Sequence, residues 1–225
     1  MRAACLLSAL LLSVCSAGAG DVTVQVHITK RLTKKTVAPA IYNLRGAAPL
    51  ATVGAEAPVT EFDRTVVMLS GKVPVPSDPE TVTIEQRNSR FEPDLVVIPV
   101  GSTVNFPNFD PIFHNVFSLS RTLPFDLGFY PKSKSKSEVF DKAGVVQVYC
   151  HIHANMYAAI VVTDNPWYGK PDADGKVMLK DVPAGHYKAQ AWHKVAGLYY
   201  ADVDVPAKGR VQVDISVPVD AEPHK

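Results

Sequence analysis

Cysteine is scarce in this chain, and its placement makes it scarcer still. There are three, Cys5, Cys15 and Cys150. The first two sit in MRAACLLSALLLSVCSAGAGDV, which has the layout of an export signal. Arg2 gives a small positive start, Leu6 to Val14 an apolar stretch, and Ala17-Gly18-Ala19 an A-x-A cleavage sequence. Residues 1–19 are therefore expected to leave as a signal peptide, with a mature start near Gly20 or Asp21 and a periplasmic or secreted destination. Bulky Val14 argues against lipid attachment at Cys15. Cys150 is then the sole remaining cysteine, which excludes an intramolecular disulfide. A lone thiol in an oxidising compartment must be buried or metal-bound to survive.

Other absences narrow the class. No later stretch approaches the roughly 20 apolar residues of a membrane-spanning helix. The net charge is only +1, which gives no electrostatic case for nucleic acid or an anionic membrane. Long helical periodicities are few, whereas prolines number 18 and β-branched residues are many, so the chain is expected to be all-β. There is no H-E-x-x-H motif and no internal repeat. About 205 of the 225 residues remain after the leader, enough for one large or two small domains.

Strand patterns fill much of what is left. "VTVQVHI" (residues 22–28) alternates with a period of two, and "RTVVMLSG" (64–71) has the form of a buried strand. Between them "GAAPLATVGAEAP" (46–58) is an Ala/Gly/Pro linker, and "PVPSDP" (74–79) is a second break. From Thr81 to Asp164 the text is strand-like and rich in aromatics. "PVGSTVNF" places strands on either side of a glycine turn, and "KAGVVQVYC" delivers Cys150 at the end of a strand. After Pro166, "DADGKVMLKDVPAGHYKAQAWH" separates short alternating strands by Asp-Gly and Pro-Ala-Gly turns, and "RVQVDISV" precedes a polar tail, residues 220–225.

The densest chemistry lies in "YCHIHANM", residues 149–156. Cys150, His153 and Met156 offer sulfur, nitrogen and sulfur donors from one short loop. A fourth donor is available upstream at His114, in "NFDPIFHNVFS". Imidazoles and a thiolate suit zinc or copper, and a thioether prefers copper; two His and one Cys in a plane with a distant Met make the blue-copper arrangement. Zinc is the rival, although structural zinc sites normally carry more Cys or His.

With these residues in view, the chain resembles the cupredoxins, the type 1 copper proteins. The likeness runs through "FEPDLVVIPVGSTVNFPNFDPIFHNVFS" and "FDKAGVVQVYCHIHANMYAAIVV", covering residues 91–162. The C-x-x-H-x-x-M spacing is the short one of amicyanin, plastocyanin having a longer loop before its methionine. The resemblance implies a Greek-key β-sandwich holding one copper on His114, Cys150, His153 and Met156. It also implies that Asn115 ties the two ligand loops together and that the ring edge of His153 is the electron port. One cysteine disfavours a dinuclear copper centre, and no type 2 or trinuclear copper motif is present, so no enzymatic turnover is expected.

The remaining polar residues receive plainer readings. Neighbours on an extended chain point to opposite sides, so His151 should face away from a metal held by Cys150. His27, His186, His193 and His224 are expected to be structural or solvated. Phe106, Phe109, Phe113, Phe117, Phe125 and Phe129 are expected to form the sandwich core, one or two of them lending an apolar rim near the copper. Lys132, Lys134 and Lys136, in "KSKSKSE", protect an edge strand or steer an acidic redox partner.

The segment after Asp164 resembles the carboxypeptidase regulatory-like, or transthyretin-like, β-sandwich. The expected division is a β segment over residues 20–77, the copper domain over 78–164 and the second β domain over 165–219. In one topology the strands of residues 22–71 complete the second sandwich and the copper domain is an insertion; in the other they extend the copper-domain sheet. The leading functional expectation is an exported carrier of single electrons between redox proteins. A copper carrier or buffer, and an accessory scaffold with a structural copper, are the alternatives. Some proteins with this two-part appearance are named methylamine-utilisation proteins.

Overall fold

The structure, a computed structural model, describes residues 18–29, 60–71 and 77–218. The leader through Ala17, the 46–58 linker, the start of the 74–79 break, the polar tail and His224 lie outside the described residues. Seventeen strands and no helix occur among those described, so the chain is all-β. In order they are β1 (Ala19–Ile28), β2 (Thr65–Ser70), β3 (Thr81–Thr83), β4 (Glu85–Arg87) and β5 (Arg90–Glu92). There follow β6 (Leu95–Pro99), β7 (Ser102–Pro107), β8 (His114–Ser118), β9 (Phe125–Tyr130), β10 (Ser135–Phe140), β11 (Gly144–Tyr149) and β12 (Tyr157–Thr163). The last five are β13 (Tyr168–Gly169), β14 (Lys176–Pro183), β15 (Gly185–His193), β16 (Gly197–Val205) and β17 (Arg210–Val217).

Strands β6–β12 make a cupredoxin-like sandwich. Its larger sheet has the order β6-β12-β11-β8-β9, and β10-β7-β3 lies opposite. The chain changes sheet at β7, β8, β10 and β11, which is the Greek-key pattern. Gly101, at φ +88°, makes the turn by which β6 hands over to β7 in the other sheet. Gly144 opens β11 at φ +138°, and a Cβ there would lie 2.9 Å from Thr122 Oγ1, so only glycine fits without a shift. This turn aims the strand that ends at Tyr149, just before Cys150. Between the sheets Ile98, Val104, Phe106, Phe140, Val148 and Ile160 form a core with Cys150 and Met156.

The second sandwich is assembled from both ends of the described chain. β1 lies between β14, antiparallel, and β17, parallel; β2 lies between β13 and β15 in the order β13-β2-β15-β16. All of β3–β12 therefore intervene between strands of one sandwich, and neither β1 nor β2 hydrogen-bonds into their sheets. Alternation explains the layers. Val22, Val24 and Val26 of β1 face the core with Val177 and Leu179 of β14 and Val213 and Ile215 of β17, while Thr23, Gln25 and His27 face the other way.

The two sandwiches share β12. Ala158, Ile160 and Val162 face the first core, whereas Ala159 and Val161 face Val66, Leu95 and Trp192. Burial on both faces accounts for the unbroken apolar run "AAIVV", where a strand with one wet face would alternate.

The expectation that six phenylalanines form the core needs correction. Phe106 is fully buried, but Phe109, Phe113 and Phe129 are about half exposed. They stand in loops or on the sheet-edge strand β9, where no second layer covers them.

His193 is fully buried and structural. Its Nδ1 accepts the N–H groups of Val195 (3.2 Å) and Ala196 (3.0 Å), and its Nε2–H donates to Glu61 Oε2 at 3.0 Å. Burial pushes its pKa below 6.5, and a protonated ring would forfeit both backbone bonds. The unfolded chain therefore gains the proton first as pH falls. The stabilisation is complete above about pH 6.5 and is lost as pH falls through the lower folded value. The thermal midpoint of the wild type is expected to drop between about pH 7 and 5, and this slope to flatten in His193→Gln, followed by circular dichroism.

Candidate metal centre

Two loops at one end of the larger sheet bring the predicted ligands together. β8 starts at His114, and β11 ends one residue before Cys150. The donor atoms of His114, Cys150 and His153 all lie within 4.8 Å of one another, and His114 Nδ1 is 3.9 Å from Cys150 Sγ. Bonds of roughly 2.0–2.3 Å from one ion would set three ligands in a plane about 3.5–4 Å apart. The three already stand close to that spacing.

Each donor is poised by its surroundings. Cys150 is buried and free of any disulfide. The His114 ring is fully buried, with its Nε2 2.8 Å from Asp110 Oδ2. Asp110 also accepts N–H bonds from Asn88 (2.7 Å) and Ser89 (2.8 Å). Burial works to raise the Asp110 pKa, but the bonds from Ser89, His114 and Asn88 outweigh it and hold the carboxyl below its ordinary value. An ionised Asp110 accepts a hydrogen bond from Nε2–H, which leaves Nδ1 unprotonated and 3.9 Å from the Cys150 sulfur. His153 Nδ1 is buried with no hydrogen-bond partner among the described residues, although the residue as a whole is partly exposed. An orphaned buried nitrogen costs about 1–3 kcal/mol, and a bound cation would remove that cost.

Met156 is fully buried in the core that holds Cys150. Its N–H donates to His153 O at 3.0 Å, closing the loop on itself. Asn115 spans the two loops: its Oδ1 accepts the N–H of His151 (3.2 Å), and its Nδ2 donates to Asp126 Oδ1 (2.6 Å). His151 turns outward. Its ring stacks on Phe117 at 3.8 Å and 7°, and its Nε2 is 3.6 Å from Asp126 Oδ2.

Sequence reasoning missed Asp110, Asn108 and Asp126. Asn108 is fully buried; its Oδ1 accepts Asp110 N–H, and its Nδ2 donates to Ile112 O and Tyr130 O. The only available signal was Asn-x-Asp-Pro in a loop, which marks local side-chain to backbone bonding and carries no metal meaning by itself. Around the ligands, Ile112, Phe113, Phe129 and Ile152 are exposed. Lys132 and Lys134 are exposed beside the edge strand β10, while Lys136 bonds Leu127 O and lies over the Tyr130 ring.

The donor set fits copper. It combines one thiolate and two imidazoles with a buried thioether close in sequence, and the orphaned His153 nitrogen awaits a cation rather than a hydrogen bond. No protein-family model matches the chain, and no curated protein matches it. Among solved structures it is similar to a purple cupredoxin from Nitrosopumilus maritimus, at 23% identity over 36% of this chain and 99% of that one, TM-score 0.34. It is also similar to a copper-containing nitrite reductase from Thermus scotoductus SA-01, at 25% identity over 41% of this chain and 24% of that one, TM-score 0.36. An oxidised variant of amicyanin is 23% identical over 36% of this chain and 80% of that one, TM-score 0.35.

Asp110→Asn keeps the shape of the side chain but removes the charge that orients His114. Copper affinity is expected to fall about 10- to 100-fold, read by competition with a copper chelator, while far-ultraviolet circular dichroism stays unchanged.

Proposed function

We propose that this chain is an exported mononuclear type 1 copper protein that passes single electrons between redox proteins. The observation that carries the reading is the convergence of one donor atom each from His114, Cys150 and His153 at the end of a cupredoxin-like sandwich, with His153 Nδ1 buried and without a hydrogen-bond partner. Copper held there by these three groups and Met156 would supply a one-electron couple.

The chain's own residues do the rest. Asp110 fixes the His114 ring, Asn115 locks the His114 loop to the Cys150 loop, and the Met156 N–H to His153 O bond limits the play of the third and fourth ligands. Ligands held this firmly shift little between oxidation states, which keeps the barrier to electron transfer low. The exposed part of His153 is the contact point for a partner, and Ile112, Phe113, Phe129 and Ile152 offer it an apolar landing surface. Exposed Lys132 and Lys134 would speed the approach of an acidic partner, an effect that salt screens. The reading assigns no substrate turnover. It places the protein in the periplasm, with an amicyanin-like copper domain over residues 78–164 inserted into a transthyretin-like sandwich.

The test is an absorption and electron paramagnetic resonance spectrum of the protein loaded with copper and oxidised, beside Cys150→Ser. The expected result is an intense blue or green thiolate-to-copper band that the variant lacks. A colourless protein with an ordinary tetragonal copper signal would overturn electron transfer and favour a copper carrier or a structural copper.

A further inference from the structure

The second sandwich touches the metal loop at its root. The loop of residues 150–156 hangs from two facing strand ends, since Tyr149 of β11 is paired with Tyr157 of β12. Their rings stack at 5.2 Å and 25°. Tyr149 precedes Cys150 and Tyr157 follows Met156, so whatever holds this pair holds both ends of the loop.

The group that holds it belongs to the other sandwich. Lys194, in the turn between β15 and β16, has a side chain only 7% exposed. Its ammonium donates to Tyr157 O (3.4 Å), Asp94 O (3.1 Å) and Asp94 Oδ2 (2.6 Å) and lies 4.4 Å from the centre of the Tyr157 ring. The Lys194 backbone N–H in turn donates to Arg64 O at 2.9 Å, just before β2. Lys170, beyond β13, donates to Leu95 O at 2.7 Å. Both ammonium groups thus end on the strands β6 and β12, which are neighbours in the sheet.

A buried ammonium is a poor way to gain stability. Its desolvation offsets much of what its bonds return, and apolar residues of similar volume do as well or better. Adhesion between the sandwiches is already supplied by Val66, Leu95, Ala159, Val161 and Trp192. One bond to Tyr157 O and a seat over its ring, fixed by two bonds to the neighbouring Asp94, make the ammonium's grip on the first residue of β12 directional where those contacts are not.

We propose that Lys194 is a positioning residue for the metal loop, through which the second sandwich sets the placement of Met156 and Cys150. This inference rests on the copper reading for its meaning, but its first readout needs no copper. In the metal-free protein, Lys194→Met is compared with wild type by nuclear magnetic resonance of the Met156 methyl group and the amides of residues 150–156. Lys188→Met, which removes an exposed lysine bonded to Asp202 on the same sandwich, is the control. Lys194→Met is expected to move the Met156 methyl and the loop amides, and Lys188→Met to leave them in place. With copper added, Lys194→Met is expected to surrender it to a chelator about ten-fold more readily.

Loop resonances unmoved in a folded Lys194→Met protein would overturn the proposal. Should that variant fail to fold, Asp94→Asn, which weakens the same grip from its exposed side, is read against the same two outcomes. Loop resonances that move in a protein giving no thiolate-to-copper band would uphold the positioning role and sink the copper reading alone.

Discussion

Everything in this molecule leans on a strand with no wet face. β12 gives Ala158, Ile160 and Val162 to one core and Ala159 and Val161 to another. At about 1.5–3 kcal/mol for each large aliphatic side chain fully buried, neither core can release it cheaply. The consequence is mechanical as much as energetic. A side chain shift on one face of β12 is felt on the other, because close-packed interiors transmit strain instead of absorbing it. The 150–156 loop is anchored at the start of this strand, where Tyr157 pairs with Tyr149.

The candidate centre shows a similar economy. Its candidate donors and their loops are held by bonds made away from the donor cluster: Asp110 to His114, Asn115 to the His151 N–H, Met156 N–H to His153 O. Asp110 is tied in turn to Asn88 and Ser89, which form the left-handed turn between β4 and β5. A small hairpin remote in sequence thereby stiffens the first ligand. Among the described residues of the candidate centre, His153 Nδ1 is a buried nitrogen without a hydrogen-bond partner.

How far this was legible in sequence depends on the range of the forces involved. Cys150, His153 and Met156 are readable because a short loop confines donors whose chemistry is distinctive, and His114 because it stands at the head of a strand pattern. Met156 and Cys150 both fall in the buried core. Asp110 was invisible, since a carboxylate in a Pro-containing loop is ordinary until the fold turns it toward an imidazole. Lys194 was equally hidden, because its partners Asp94 and Tyr157 lie far off in the chain. The phenylalanines misled for the opposite reason: composition says that aromatic rings prefer burial, but not which strand ends and loops lack a covering layer.

The strand order carries a further meaning for how the chain reaches its native state. β2 ends at Ser70 and β13 begins at Tyr168, and the two are hydrogen-bonded neighbours, with Leu69 N–H also donating to Trp167 O at 2.9 Å. For an unfolded intervening chain of about 100 residues, bringing those ends together costs about 4 kcal/mol of loop entropy. A sandwich that has already folded presents its ends side by side and removes most of that cost. Closing the outer sandwich around an already folded inner unit therefore costs less entropy than closing it around an unfolded one.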